Sequence, residues 1–216
     1  MQKAIIYQML PRLWGNDKIK PKKNGGLSDN GTGKFSDIDN ASLEYIKWLG
    51  CSHVWYTGVI RHSTQASEDG CTPSHPQFVK GKAGSPYAIC DYYDVNAYLA
   101  DNAEDRMFEF EQLIKRTHNA GLKVIIDFVP NHVARDYGKV DMTPGHPVLG
   151  AEDDRSVHWR EENDFIYYPG ETLRLPTESP KGMKPYYEMP AMATGNNCYT
   201  AAPGINDWFE TVKINY

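Results

Sequence analysis

"LKVIIDFVPNHVAR" (residues 122–135) runs from a β-branched apolar block through Asp127 to a Pro130-Asn131-His132 tip. The apolar block predicts a buried strand over residues 122–129. Asp127 falls inside it, where an isolated carboxylate is strongly destabilising without a cationic or hydrogen-bonding partner. Asn131 and His132 follow just past the strand's end, where polar groups of a parallel sheet tend to face a site. Taken alone, the stretch fits a solvated turn after Pro130 as well as a functional lip.

Upstream of it the same rhythm repeats. "AIIYQML" (residues 4–10) predicts a first buried strand stopped by Pro11, and "DIDNASLEYIKWLGC" predicts a helix capped by Asp39 or Asn40 with Leu43, Ile46 and Leu49 on its apolar face. Gly50 supplies the left-handed stop. "HVWYTGV" (residues 53–59) is the next strand. After a polar loop and "YAICDYYDV", a second helix opens at Asn102, carries Met107, Phe110, Leu113, Ile114 and Thr117 down one side, and ends at Gly121. Strands without alternation, each entered from a helix, predict parallel pairing buried on both faces. Two architectures satisfy this: a doubly wound sheet, or part of an eight-stranded β/α barrel. From Val133 the rhythm stops. Eight of the 14 prolines and seven of the 14 tyrosines lie in residues 133–216, which predicts an irregular, loop-rich insertion leaving the top of the third strand.

Composition narrows the function. The chain has 216 residues, 40% hydrophobic and 24% charged, with a formal net charge of −5, an ordinary globular balance. Residues 1–132 are neutral, 15 basic against 15 acidic, while residues 133–216 carry 8 against 13. Without a basic stripe, a groove for nucleic acid is not expected. No run approaches the ~18 apolar residues of a membrane helix, and "MQKAIIYQML" leads into "PRLW" rather than a small-residue cleavage site, so it reads as a strand. Cys51, Cys71, Cys90 and Cys198 make no CxxC pair, which suggests a reducing, cytoplasmic setting. "SDNGTGKF" fails the phosphate-loop pattern, with Ser28 where the first glycine belongs and Phe35 after Lys34. No GxGxxG follows the first strand, so no nucleotide cofactor is expected. Asp69, Cys71 and His75 are three metal-ligand types without a second pair, more often a loop thiol and a surface histidine than zinc ligands.

Four segments in order carry a family resemblance. "DFVPNH" after "THNAGLKVI" resembles the first signature region of the alpha-amylase family (glycoside hydrolase family 13). "IIYQMLPRLW" resembles that family's first barrel strand, "LGCSHVWYTGVI" its passage into the second, and "YAICDYYDVN" its tyrosine-containing approach to the signature. The resemblance implies residues 1–132 as the first three β/α units of a TIM-type (β/α)8 barrel, and residues 133–216 as a domain B-like insertion that breaks off before strand four. A full barrel takes about 250 residues, so an incomplete one is expected, lacking its carboxyl-terminal half.

The resemblance also implies roles. His132 matches a histidine that faces the sugar at the cleavage subsite, and Tyr87 an aromatic that stacks on it. Asn131 matches an oxygen donor to a structural calcium, for which Asp136, Asp141, Asp153, Asp154 and Asp164 are candidate further ligands. Asp127 matches a supporting carboxylate that pairs with an arginine of strand four. Tyr92 and Tyr93 read as packing residues, Asp91 as a structural acceptor. Trp159, Tyr167, Tyr168, Tyr186, Tyr187 and Trp208 offer sugar platforms, most of them expected to build the small core of the insertion. A retaining glycosidase needs two carboxyl groups about 5 Å apart. In the resembled family the nucleophile sits in a Gly-Phe-Arg-x-Asp pattern that these 216 residues do not contain. The expected activity is hydrolysis of α-glucan oligosaccharides, with this chain alone inactive. A transglycosylating or isomerising relative, or a noncatalytic carbohydrate-binding or regulatory homologue, would share the same motifs.

Overall fold

The computed structural model describes residues 3–18, 20–67, 70–139 and 141–216. Asp69, one of the three metal-ligand candidates, lies outside them. The chain divides into two compact units: the first is Met1–Arg61, Ala66–Cys71 and Tyr92–Phe128, the second His62–Gln65, Thr72–Asp91 and Val129–Tyr216.

In the first unit β1 (Ile6–Met9) is followed by a short α1 (Leu27–Asn30), then α2 (Asn40–Trp48) and β2 (His53–Tyr56). The strands β3 (Ile60–His62) and β4 (Ile89–Val95) pair with each other. Next come α3 (Arg106–Asn119) and β5 (Lys123–Ile126). The three parallel strands lie in the order β1-β2-β5, with Tyr7 opposite Val54 and Val54 opposite Val124. Each strand thus adds beside the one before it without reversal, as at the opening of a β/α barrel and equally in the first half of a doubly wound sheet. Asp39 caps α2 by accepting from Ser42 N at 2.8 Å, and this bond holds its carboxyl below the usual range. Gly50 and Gly121 end α2 and α3 at φ of 85° and 76°.

Packing explains where the sequence expectations shift. Leu43 and Ile46 of α2 and Leu113 of α3 are fully buried, but Leu49 and Met107 face outward, because each sits in a terminal turn beyond the helix–sheet contact. Tyr56 is fully enclosed and its hydroxyl meets Thr117 Oγ1 at 2.6 Å. Burial pushes its pKa up to about 12. The expectation of strands buried on both faces fails for β1 and β5. Ile5, Ile6 and Ile126 are nearly half exposed and Phe128 is 75% exposed. Both strands are edges of a three-stranded sheet, so each has a side without a neighbour.

The second unit is built from short pieces: β6 (His132–Ala134) antiparallel to β9 (Thr211–Lys213), and β7 (Tyr167–Tyr168) antiparallel to β8 (Ala191–Met192). Phe78, Val79 and Phe209 form one small core, with Leu175 and Tyr186 packed on it. Leu173, Ala191 and Ala201 form another. Much of the rest is held by side-chain hydrogen bonds, such as Asp153 accepting from Asp164 N, Phe165 N and the Tyr167 hydroxyl. Among the described residues no helix is long and apolar enough to cross a membrane.

Candidate functional site

Asp127 belongs to the first unit and Tyr87, Asn131 and His132 to the second. The strand that introduces Asp127 ends one residue earlier, at Ile126, so the carboxylate stands at the strand's lip and not within it. Its two oxygens accept from the Trp55 indole Nε1 at 2.8 Å and from Gly58 N at 2.9 Å. Within this unit the desolvation problem posed by the sequence is answered by two neutral donors on and after β2.

His132 opens β6, where it pairs with Lys213, while the Asn131 carbonyl accepts from Ile214 N at 3.2 Å. The imidazole is 5% exposed and hydrogen-bonded to the Tyr87 main chain. The Trp208 ring meets it edge-on, centroids 5.3 Å apart at 60°. The indole is set there by a turn in which Thr211 N and Oγ1 both donate to Trp208 O at 2.9 Å. Gly195 approaches so closely that an added Cβ would lie 2.8 Å from His132 Cβ and also strike Thr211, so only glycine fits. Burial pulls the His132 pKa below its ordinary value, opposed more weakly by the Tyr87 main-chain bond and by Glu210. The ring is therefore neutral at pH 7. Tyr87 and Trp208, both touching His132, remain 41% and 45% exposed.

Of the tail aromatics, Trp208 joins this group. Tyr167 is buried and Tyr186 packs on the Phe78 core, while Trp159 and Tyr187 are exposed. Sequence alone placed Trp208 level with five others. The deciding feature, antiparallel pairing of β6 with β9, joins residues some eighty positions apart. Asp91 accepts from Thr143 N and Oγ1, Tyr92 packs against Phe128 at 6.0 Å, and Tyr93 is 45% exposed. Asp94, given no role by the sequence, is a buried acceptor for Arg61 at 3.3 Å and Arg106 at 2.7 Å.

The calcium candidates are engaged elsewhere. Asp136 accepts from Ser63 Oγ, Asp141 from Thr72, Asp153 from three donors, Asp154 from Ser156 and Asp164 from Gly150 N. Among the described residues no three carboxylate, histidine or cysteine side chains gather closely enough to hold an ion. The residues present do not assemble a calcium cage around Asn131. His75 is also occupied, with Nε2 on Lys184 O at 3.0 Å and Nδ1 accepting from Gln77 N.

Comparison with known proteins gives a consistent family. The chain is 29% identical over 138 residues to an oligo-1,6-glucosidase of Bacillus sp. (strain F5), covering 63% of this chain and 20% of that protein. It is 26% identical to an amino acid transporter heavy chain of Homo sapiens, covering 62% and 14%. Among solved structures, an alpha-amylase from Lactobacillus plantarum is 26% identical with a TM-score of 0.44, covering 62% and 24%. The matched stretch is 12% to 20% of the length of the first curated relatives. The family model for the alpha amylase catalytic domain matches residues 21–185, most of the chain, and the protein belongs to the alpha-amylase family.

Proposed function

We infer that this chain supplies the glucan-facing part of an alpha-amylase-type glycoside hydrolase acting on α-glucans or maltodextrins by a retaining mechanism. The observation that carries the reading is His132 of the family's signature stretch, bonded to the Tyr87 main chain and met by the Trp208 ring. Sugar rings stack their apolar faces on the exposed Tyr87 and Trp208 rings, and the buried His132 positions both, through its bond to the Tyr87 main chain and its edge contact with Trp208. Asp127, through Trp55 and Gly58, fixes the lip of the first unit's sheet. In this proposal residues 1–132 are the opening of a (β/α)8 barrel and residues 133–216 its domain B. The nucleophile and the acid/base are not among the 216 residues, so no bond-breaking step is assigned to them. A cytoplasmic location, read from the scattered cysteines, belongs to the same proposal. The test is turnover of a chromogenic maltoside by the 216-residue chain, expected to equal that of His132→Ala. Turnover above that control overturns the assignment of the chemistry elsewhere.

A noncatalytic binding role is the second reading, favoured by the similarity to an amino acid transporter heavy chain. The two part on whether a carboxylate nucleophile accompanies this chain in the full barrel: a Gly-x-Arg-x-Asp pattern gives turnover, its replacement gives binding alone.

A further inference from the structure

The antiparallel pairing of β6 with β9 sets His132 opposite Lys213, and the donation from Ile214 N to Asn131 O carries the ladder one step further. Directly paired residues point to the same face of a two-stranded ribbon, and every second residue along a strand returns to that face. His132, Thr211 and Lys213 therefore share a face, in agreement with Gly195, where one added Cβ would meet both His132 and Thr211. Asn215 is the next residue in that series, roughly 7 Å beyond Lys213 along the chain.

Asn215 carries one exposed ring. Its Oδ1 accepts from the Trp159 indole Nε1 at 2.8 Å, while its Nδ2 donates to Arg160 O and Asn163 O at 2.9 Å each. Its main-chain N donates to Asp164 O at 2.7 Å. The single polar atom of the indole is thus bonded, yet Trp159 remains 57% exposed. Solvent meets chiefly the carbon surface of a ring whose orientation is already set. A tryptophan that only filled the core of the insertion would be covered, as the Tyr167 ring is. Leaving so large an apolar surface in water costs free energy, and anchoring it beforehand removes side-chain freedom that binding would otherwise have to remove.

We propose that Trp159 is a second stacking platform for the same glucan, so that an extended oligosaccharide runs from Trp208 across the β6–β9 ribbon to Trp159. All of these residues belong to the second unit, and the platform continues the ribbon face on which His132 meets the Trp208 ring. The inference rests on the reading of Tyr87, His132 and Trp208 as a sugar-facing patch and adds chain length to it. A short sugar is held by that patch alone, a long one by both.

The test is calorimetric titration of the 216-residue chain with maltoheptaose and with maltose, whose two rings Tyr87 and Trp208 take up. Trp159→Ala is expected to weaken maltoheptaose binding at least about tenfold while maltose stays within about twofold. Asn215→Ala, which keeps the ring but frees it, is expected to weaken maltoheptaose by about threefold or more. Unchanged maltose affinity also reports an intact fold in each variant. Equal maltoheptaose affinity in the unaltered chain and in Trp159→Ala overturns the second platform and leaves the Trp208 patch standing. Loss of maltose together with maltoheptaose in Trp159→Ala makes the residue structural and overturns it as well. If neither sugar binds the unaltered chain, the patch fails and this extension with it.

Discussion

The two units bury their side chains on different scaffolds, although each encloses an arginine–carboxylate pair. The first is periodic: a parallel sheet with helices on it, in which Leu43, Ile46, Val54 and Leu113 are fully buried and the buried charge is gathered in one cluster, Asp94 with Arg61 and Arg106. The second has small apolar clusters and depends on side chains that replace regular structure, among them the buried Arg135–Glu188 pair and the bonds radiating from Asp153. A unit of the second kind concentrates its stability in few groups, so single changes there are expected to do more damage.

The largest effect expected follows from that contrast. Glu188→Ala leaves the Arg135 guanidinium buried without its counter-ion and is expected to cost about 3–5 kcal/mol, measured by chemical denaturation. Glu162→Gln, at an exposed pair with Arg160, serves as the control and leaves the midpoint unchanged. A small loss from Glu188→Ala would erase the distinction between the units.

In the first unit, Asp127→Asn replaces an acceptor for both Trp55 Nε1 and Gly58 N by a group with one acceptor oxygen. The expected loss is about 1–3 kcal/mol, with a shift in tryptophan emission as the Trp55 bond loosens. If neither changes, the strand's lip is fixed by backbone pairing alone.

How much of this was legible depends on periodicity. The cap at Asp39, the stops at Gly50 and Gly121 and the β1-β2-β5 progression follow from local residue choices at helix and strand spacing. Leu49 and Met107 were misread because helical period says which face a residue occupies but not where the neighbouring sheet ends. In residues 133–216 no period exists to read, and Asp153, Glu188 and Trp208 gain their partners through chain reversals that leave no local trace. His132 was legible as a special position from its motif. Its neutrality and its Trp208 neighbour were not, since both arise from burial against β9 and the turn before it.

That burial sets a smaller, pH-dependent effect. The native pKa of His132 lies below its unfolded value of about 6.5. Below that pH the unfolded chain takes up a proton that the native ring refuses, so stability is full above about pH 6.5 and falls as pH drops toward the native pKa. His132→Gln is expected to flatten this slope in denaturation midpoints taken between pH 7 and 5. An unchanged slope assigns it to other groups.

The claim at the centre of the account is that Tyr87, His132 and Trp208 form one sugar-facing patch. Titrating the 216-residue chain with maltose while following tryptophan emission tests it directly, with Trp208→Phe to identify the reporter. The account predicts a saturable change that disappears in Trp208→Phe and weakens at least about tenfold in Tyr87→Ala. A signal that persists in Trp208→Phe, or no saturable binding at all, would contradict it.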